Sequence, residues 1–194
     1  MSSAEDEVEG LVEMARGGDT VALGALYDVF APRIFRFFRF RVSSADLAED
    51  LMQKVFLKMV EQLPSYRPRG VPFGAWLFRV ARNTWIDFGR TSHETLPLEH
   101  AAGQSAGKGD PEASASAAAD AEMLRWALEA LPASQREGIA CRFFAELSPA
   151  ETAVLLGRSE VSVRVLQHRA LAGLRRQIEQ REGVTSRHPE RSPR

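Results

Sequence analysis

Residues 101–119 read AAGQSAGKGDPEASASAAA, in which 14 of 19 positions are Ala, Gly or Ser and no apolar spacing could serve a core. Such a stretch is expected to be a flexible linker between two halves of the chain. As a random coil the stretch would span about 25 Å root-mean-square, so the halves can reach distant places on one ligand. With 194 residues in all, each half is the size of a small domain.

Charge is distributed in blocks that a formal total of −1 conceals. Residues 1–28 carry seven acidic side chains against Arg16, and residues 92–122 carry six against Lys108. Residues 65–91 carry five arginines against Asp87, and residues 158–176 carry five against Glu160. A uniformly basic coat for nucleic acid is excluded, whereas two separate polyanion contacts are expected.

Four helices are expected before the interruption, over residues 8–16, 21–42, 46–63 and 73–90, separated by Gly17-Gly18, Ser43-Ser44 and the Pro64 to Pro72 stretch. In the third, Leu47, Leu51, Val55 and Met59 recur every four residues and mark a core face, while Asp46, Glu49, Asp50 and Gln53 share the opposite side. The second contains IFRFFRFRV, whose Phe35, Phe37, Phe38 and Phe40 suit an element packed on several sides. The fourth, FGAWLFRVARNTWIDFGR, interleaves Trp76, Trp85 and Phe88 with Arg79, Arg82, Asn83 and Arg90. Aromatic faces beside cations suit unpaired bases and their phosphates; the plainer alternative is an amphipathic helix with solvated arginines.

Four more helices are expected after it, over residues 121–130, 132–145, 148–156 and 159–180. The third opens with Ser148-Pro149-Ala150-Glu151, a capping box with Pro at the first helical position. Ala153, Gly157 and Val163 follow at offsets of four and ten, the pattern of a helix-turn-helix. In the last helix Val163, Leu166, Ala170, Leu174 and Ile178 lie on one side and Val161, Arg164, Val165, His168 and Ala172 on the other, with Arg169, Arg175 and Arg176 flanking. Arginine can bind guanine or phosphate, His168 can donate to either, and Val165 can meet a thymine methyl. The competing interpretation is a helical hairpin with a charged surface. The fold class is therefore all-α: two small helical domains joined by a flexible linker, the second with a helix-turn-helix.

Catalytic constellations are missing: no Gly-rich phosphate loop, no His-Glu-x-x-His, and a single cysteine, Cys141, without an obvious base. No enzyme activity, cofactor or metal is expected. The lone cysteine, an acidic N-terminus and no run approaching about 18 apolar residues fit a cytoplasmic protein.

The order of these motifs resembles the extracytoplasmic-function (ECF) group of sigma factors, bacterial promoter-specificity subunits of the sigma-70 family. The first half resembles their second-region domain through DLAEDLMQKVFLKMV and FGAWLFRVARNTWIDFGR. The second resembles their fourth-region domain through LPASQREGIACRFFAELSPAETAVLLGRSEVSVRVLQHRALAGLR. The resemblance divides the chain into a region 2-like domain at 8–91, an acidic linker at 92–120, a region 4-like domain at 121–181 and a disordered tail at 182–194.

What the resemblance implies is specific. Glu49, Asp50, Gln53 and Phe56 would dock on the clamp helices of core RNA polymerase, with the flap as a further polymerase contact. Tyr66, Arg67, Arg69, Arg79, Arg82, Asn83 and Arg90 would open the minus-ten element and capture a flipped base. Ser162, Arg164, Val165, His168 and Arg169 would face the minus-thirty-five element. The family's Val-Lys-Ser-Arg-Leu pattern stands here as Val163-Arg164-Val165-Leu166-Gln167, so promoter sequence does not transfer. An anti-sigma factor is an expected partner, able to hold the protein near the membrane; when active it would associate with the nucleoid. Two alternatives compete: a regulator with a LuxR-like helix-turn-helix, and a decoy that binds polymerase or an anti-sigma factor without reading promoters.

Overall fold

A computed structural model of the chain describes residues 2–42, 44–68, 70–95 and 111–185. Among these residues there are eight α-helices and no strand: α1 (Ser2–Arg16), α2 (Thr20–Arg39), α3 (Ala45–Gln62), α4 (Phe73–Thr95), α5 (Pro111–Glu129), α6 (Ala133–Ile139), α7 (Pro149–Leu156) and α8 (Glu160–Thr185). A 3-10 turn, Leu63–Ser65, follows α3, and α6 runs on as a π-helical turn, Ala140–Phe144.

The helix starts follow from short polar side chains. Asp19 accepts from the Val21 and Ala22 amides at 2.8 and 3.2 Å, and Ser44 accepts from the Leu47 amide at 3.2 Å, satisfying N–H groups that a helix start leaves unpaired. The capping box of α7 is fully formed: Ser148 Oγ accepts from the Glu151 amide at 3.1 Å, and Glu151 Oε2 accepts from the Ser148 amide at 2.7 Å. Gly157 ends that helix in the left-handed region, at φ 62° and ψ 40°.

By compactness the chain forms two units. The first takes α1 to α4 together with the π-turn and α7 (Met1–Ser105 and Ala140–Glu160), and the second takes Ala106–Ile139 and Val161–Arg194. In the first, Phe30, Phe37, Phe38 and Phe78 are fully enclosed with Leu26, Ile34, Leu51, Val55 and Met59. At about 1.5–3 kcal/mol for each large side chain withdrawn from water, these residues dominate its cohesion. Phe35 and Phe40 are only half-buried. Cys141, Ala145, Leu147 and Leu155 join the same cluster. In the second unit Val163, Leu166, Ala170 and Leu174 are buried along one side of α8, and a Cβ at Gly138 or Gly173 would collide with Leu166 or Leu131.

Three expectations need correction. Residues 111–119, read as flexible linker, are the first half of α5: Pro111 occupies the first helical position and the alanines that follow are the strongest helix formers. Residues 96–110 of that linker lie outside the described residues. The last helix continues to Thr185, past the expected end at 180 and into the tail read as disordered; the tail from 186 lies outside the described residues. Finally, the helix over 132–145 changes to π geometry at Ala140, with the Ala145 amide donating to the carbonyl of Ala140, five residues back, at 2.9 Å.

The π-turn ends against α2. Arg33 donates from Nε to the Ala145 carbonyl at 2.9 Å and from Nη2 to the Glu146 carbonyl at 3.2 Å. Arg36 donates from Nε to the Phe144 carbonyl at 3.2 Å and pairs through Nη2 with Glu146 Oε1 at 2.6 Å. Two guanidinium groups thus satisfy carbonyls that the end of a helix leaves without partners, at its electronegative pole. Burial lowers the Arg33 pKa from its ordinary value, and the carboxylates of Glu151 and Glu146 act against that shift.

Candidate nucleic-acid interface

The polar segment between α3 and α4 closes a cavity of about 340 Å³ lined by Gln62, Ser65, Tyr66, Arg67, Val71, Trp76 and Arg79. Its back wall is a cluster of three rings. Tyr66 meets Phe73 edge-on at 5.5 Å between centroids and Trp76 at 4.8 Å, and Phe73 and Trp76 are 5.3 Å apart. The Tyr66 hydroxyl donates to the Val71 carbonyl at 3.4 Å, tying the two ends of the segment together. Burial raises the phenol pKa above its ordinary value, Glu9 adds to the rise, and Arg16 opposes it.

Arg67 is anchored by its own backbone, donating from Nη1 to the Tyr66 and Pro64 carbonyls at 2.9 and 3.2 Å, while the residue stays exposed. Arg79 is exposed on the α4 side of the cavity. Arg82, Asn83 and Arg90 follow at offsets of three, four and eleven along α4, so all four share one stripe about 16 Å long at 1.5 Å per residue. Asn83 and Arg90 are exposed and Arg82 is half-buried. The opposite edge of α4 is fixed to α3 by Lys58, which donates to Thr84 at 3.3 Å and meets Asp87 at 3.4 Å.

Of the seven residues expected at this site, Tyr66, Arg67 and Arg79 line the cavity, and Arg82, Asn83 and Arg90 continue from it; Arg69 lies outside the described residues. Tyr66 is 9% exposed and forms wall rather than a projecting contact. Gln62, Ser65 and Val71 were not singled out in the sequence. The turn at Leu63–Ser65 packs against α3 and α1, and nothing in the residue types of so short a connection signals that it brings them to the cavity.

On α3, Glu49, Asp50 and Gln53 are exposed, as is Leu57, at 66%. Phe56 differs: it is 7% exposed and packs on Tyr27 at 4.6 Å, so it supports the face from beneath. On α8, Ser162, Arg164, Val165, His168 and Arg169 are all exposed, opposite the buried Val163, Leu166 and Ala170. No group of residues that could hold a metal ion occurs among the described residues, and no described helix is long and apolar enough to cross a membrane.

Similarity to known proteins follows the same order along the chain. Residues 26–94 match the model for Sigma-70 region 2, and residues 127–176 match that for Sigma-70, region 4. The ECF RNA polymerase sigma factor SigD of Mycobacterium tuberculosis is 34% identical over 189 residues, covering 92% of this chain and 87% of the relative. BldN, an ECF RNA polymerase sigma factor of Streptomyces coelicolor, is 33% identical over 168 residues; the match covers 86% of this chain and 64% of that longer relative. Among solved structures, CnrH in complex with the cytosolic domain of CnrY aligns with a TM-score of 0.66 at 24% identity, over 88% of this chain and 96% of that one. RpoE in complex with the anti-sigma factor NepR, from Bartonella quintana, aligns at 0.58 and 23%, over 80% and 96%. These two likenesses concern the fold alone. By its two matched regions and by relatives that it parallels over most of its length, the chain belongs to the extracytoplasmic-function group of the sigma-70 family.

Proposed function

We propose that this protein is an alternative sigma factor that directs core RNA polymerase to a set of promoters and helps to open their minus-ten element. The observation that carries this reading is the cavity of Tyr66, Arg67, Trp76 and Arg79 at the head of an arginine-lined α4. Its volume suits one unstacked base, its rings offer a stacking face, and its arginines suit the flanking phosphates. A region 2 match across this part of the chain favours the sigma reading over a LuxR-like regulator.

Opening DNA in this way requires no covalent chemistry. A base held in the cavity offsets unstacking costs of about a few kcal/mol, and polymerase supplies the catalysis. Residues 8–91 act on the minus-ten element and residues 121–181 on the minus-thirty-five element, which Ser162, Arg164, Val165, His168 and Arg169 read in the major groove. Glu49, Asp50 and Gln53 dock on the polymerase clamp helices, and Phe56 fixes the curvature of that face. An anti-sigma factor is a partner by analogy with the RpoE complex. The working protein sits with polymerase on the nucleoid.

The test is transcription from a randomised promoter library by sigma-free core polymerase, with and without this protein. New start sites sharing two spaced upstream elements are expected. An active polymerase that gains no start sites from folded protein would exclude the sigma reading and leave the decoy.

A further inference from the structure

The side of α8 opposite its buried residues is not uniformly polar. At about 100° per residue, Val161, Val165, His168 and Ala172 fall within about 30° of one direction, and all four are exposed. Val161 is 69% exposed and Val165 44%. Arg164 lies on one flank of this line, and Ser162 and Arg169 lie on the other. The result is a stripe, aliphatic at three of its four positions, running between cationic edges over the first half of the helix.

The two valines contribute little to holding α8 in place, which is the work of Val163, Leu166 and Ala170 on the buried side. An aliphatic line between cations complements the cross-section of a major groove, where phosphates form the walls and base edges the floor. Five arginines against Glu160 over residues 158–176 supply the matching charge. On that floor the thymine C5-methyl is the apolar group; a valine seated over the other edge groups would strip water from donors and acceptors without replacing it. Val165 also stands where the pattern Val-Lys-Ser-Arg-Leu has serine, so a hydroxyl able to bond several bases gives way to a group that can bond none.

We propose that Val161 and Val165 read thymine methyl groups, so that the upstream element of this protein's promoters carries two thymines whose methyls themselves supply part of the specificity. The proposal rests on the sigma reading and narrows it, from an element of unstated sequence to one defined by an apolar feature of its bases. Four residues of helix place the two valines about 6 Å apart, against about 3.4 Å per base step, so the two methyls lie one or two steps apart. His168 and the flanking arginines supply the polar contacts around them.

The probe is a promoter duplex recovered with this protein and core polymerase from a randomised library, resynthesised with deoxyuridine for thymidine at single positions of the upstream element. That exchange removes the methyl and keeps the base pairing. Polymerase carrying the full chain should bind about fourfold more weakly at each of the two positions read, the worth of one buried methyl, and unchanged elsewhere. Val161→Ala and Val165→Ala should each abolish the methyl dependence at one position, so that losing the valine and its methyl together costs no more than the larger single loss. Both sites are exposed and alanine favours helix more than valine does, so the fold is kept. An upstream element without thymines, or equal affinity for substituted and unsubstituted duplexes, overturns the proposal and leaves the sigma reading intact. Methyl dependence that persists in both variants overturns it too, since the methyl then acts through the shape of the DNA. Variants that lose affinity for core polymerase while keeping the methyl dependence assign the stripe to a protein contact and overturn it likewise. A chain that yields no start sites removes the sigma reading, and the proposal falls with it.

Discussion

The rings of Tyr66 and Trp76 stand 4.8 Å apart with their planes inclined at 49°, Tyr66 enclosed and Trp76 half-exposed at the cavity. One ring thereby props the other at a fixed angle, leaving a flat apolar face beside the exposed Arg79. Such a face is sequence-tolerant in what it stacks, so preference for a base must come from the polar rim, where Gln62 and Ser65 lie.

Trp76→Ala should weaken binding of a single-stranded minus-ten oligonucleotide by about 1–3 kcal/mol, the worth of one stacked base. Fluorescence anisotropy with the polymerase-bound protein measures it. A melting scan alongside separates this loss from loosening of Tyr66 and Phe73.

Arg79→Ala should reduce affinity for every oligonucleotide sequence about equally and flatten the salt dependence by about 0.7 in log–log slope, one single-strand phosphate contact. Titrations at several salt concentrations check it. A change confined to one sequence would assign Arg79 to base reading instead.

Arg164→Ala and His168→Ala, both on the exposed side of α8, should each cost about 1–3 kcal/mol in binding the upstream element. Neither should alter recovery of the minus-ten element from a promoter library. Sequencing of start sites with each variant distinguishes the two effects.

Tyr66 carries a pH signature. Its folded-state pKa is raised by burial, so the unfolded chain loses the phenol proton first as pH climbs. The stability that this provides is complete below the ordinary tyrosine value of about 10 and declines as pH rises through the folded pKa. Urea denaturation from pH 8 to 11 should show that decline in the wild type and a flatter profile in Tyr66→Phe.

Gly157→Ala isolates a backbone cost. Nothing lies within 4 Å of a Cβ built there, yet φ is 62°, so the variant should lose about 1–2 kcal/mol through the left-handed conformation alone. Chemical denaturation measures it, and Gly157→Asn should recover part of the loss.

What could be read from the sequence was what local rules govern. Leu51, Val55 and Met59 recur at helical spacing and are buried; Ser148 and Glu151 form their capping box; Gly157 makes its turn. Trp76 and Arg79 could be associated because stacking and charge are properties of residue type, whereas Tyr66 and Arg67 were implied by the family resemblance alone. The remainder depends on distant chain. Arg33 and Arg36 look like ordinary helix-surface cations until residues 144–146 arrive, and Phe56 looks exposed until Tyr27 covers it. The onset of α5 was hidden for another reason: the composition that marks a linker, rich in alanine, also favours helix once Pro111 starts one.

Cys141 is the only thiol in the chain, has no solvent exposure, and lies inside the π-turn whose end is held by Arg33 and Arg36. A reagent such as a coloured disulfide can therefore react only when that segment leaves its seat, and no second sulfur contributes to the signal. The unmodified protein thus carries its own stopwatch: with reagent concentrated enough to outpace reclosing, the pace of colour development counts openings, in a test tube or in the presence of any partner that hastens or forbids them.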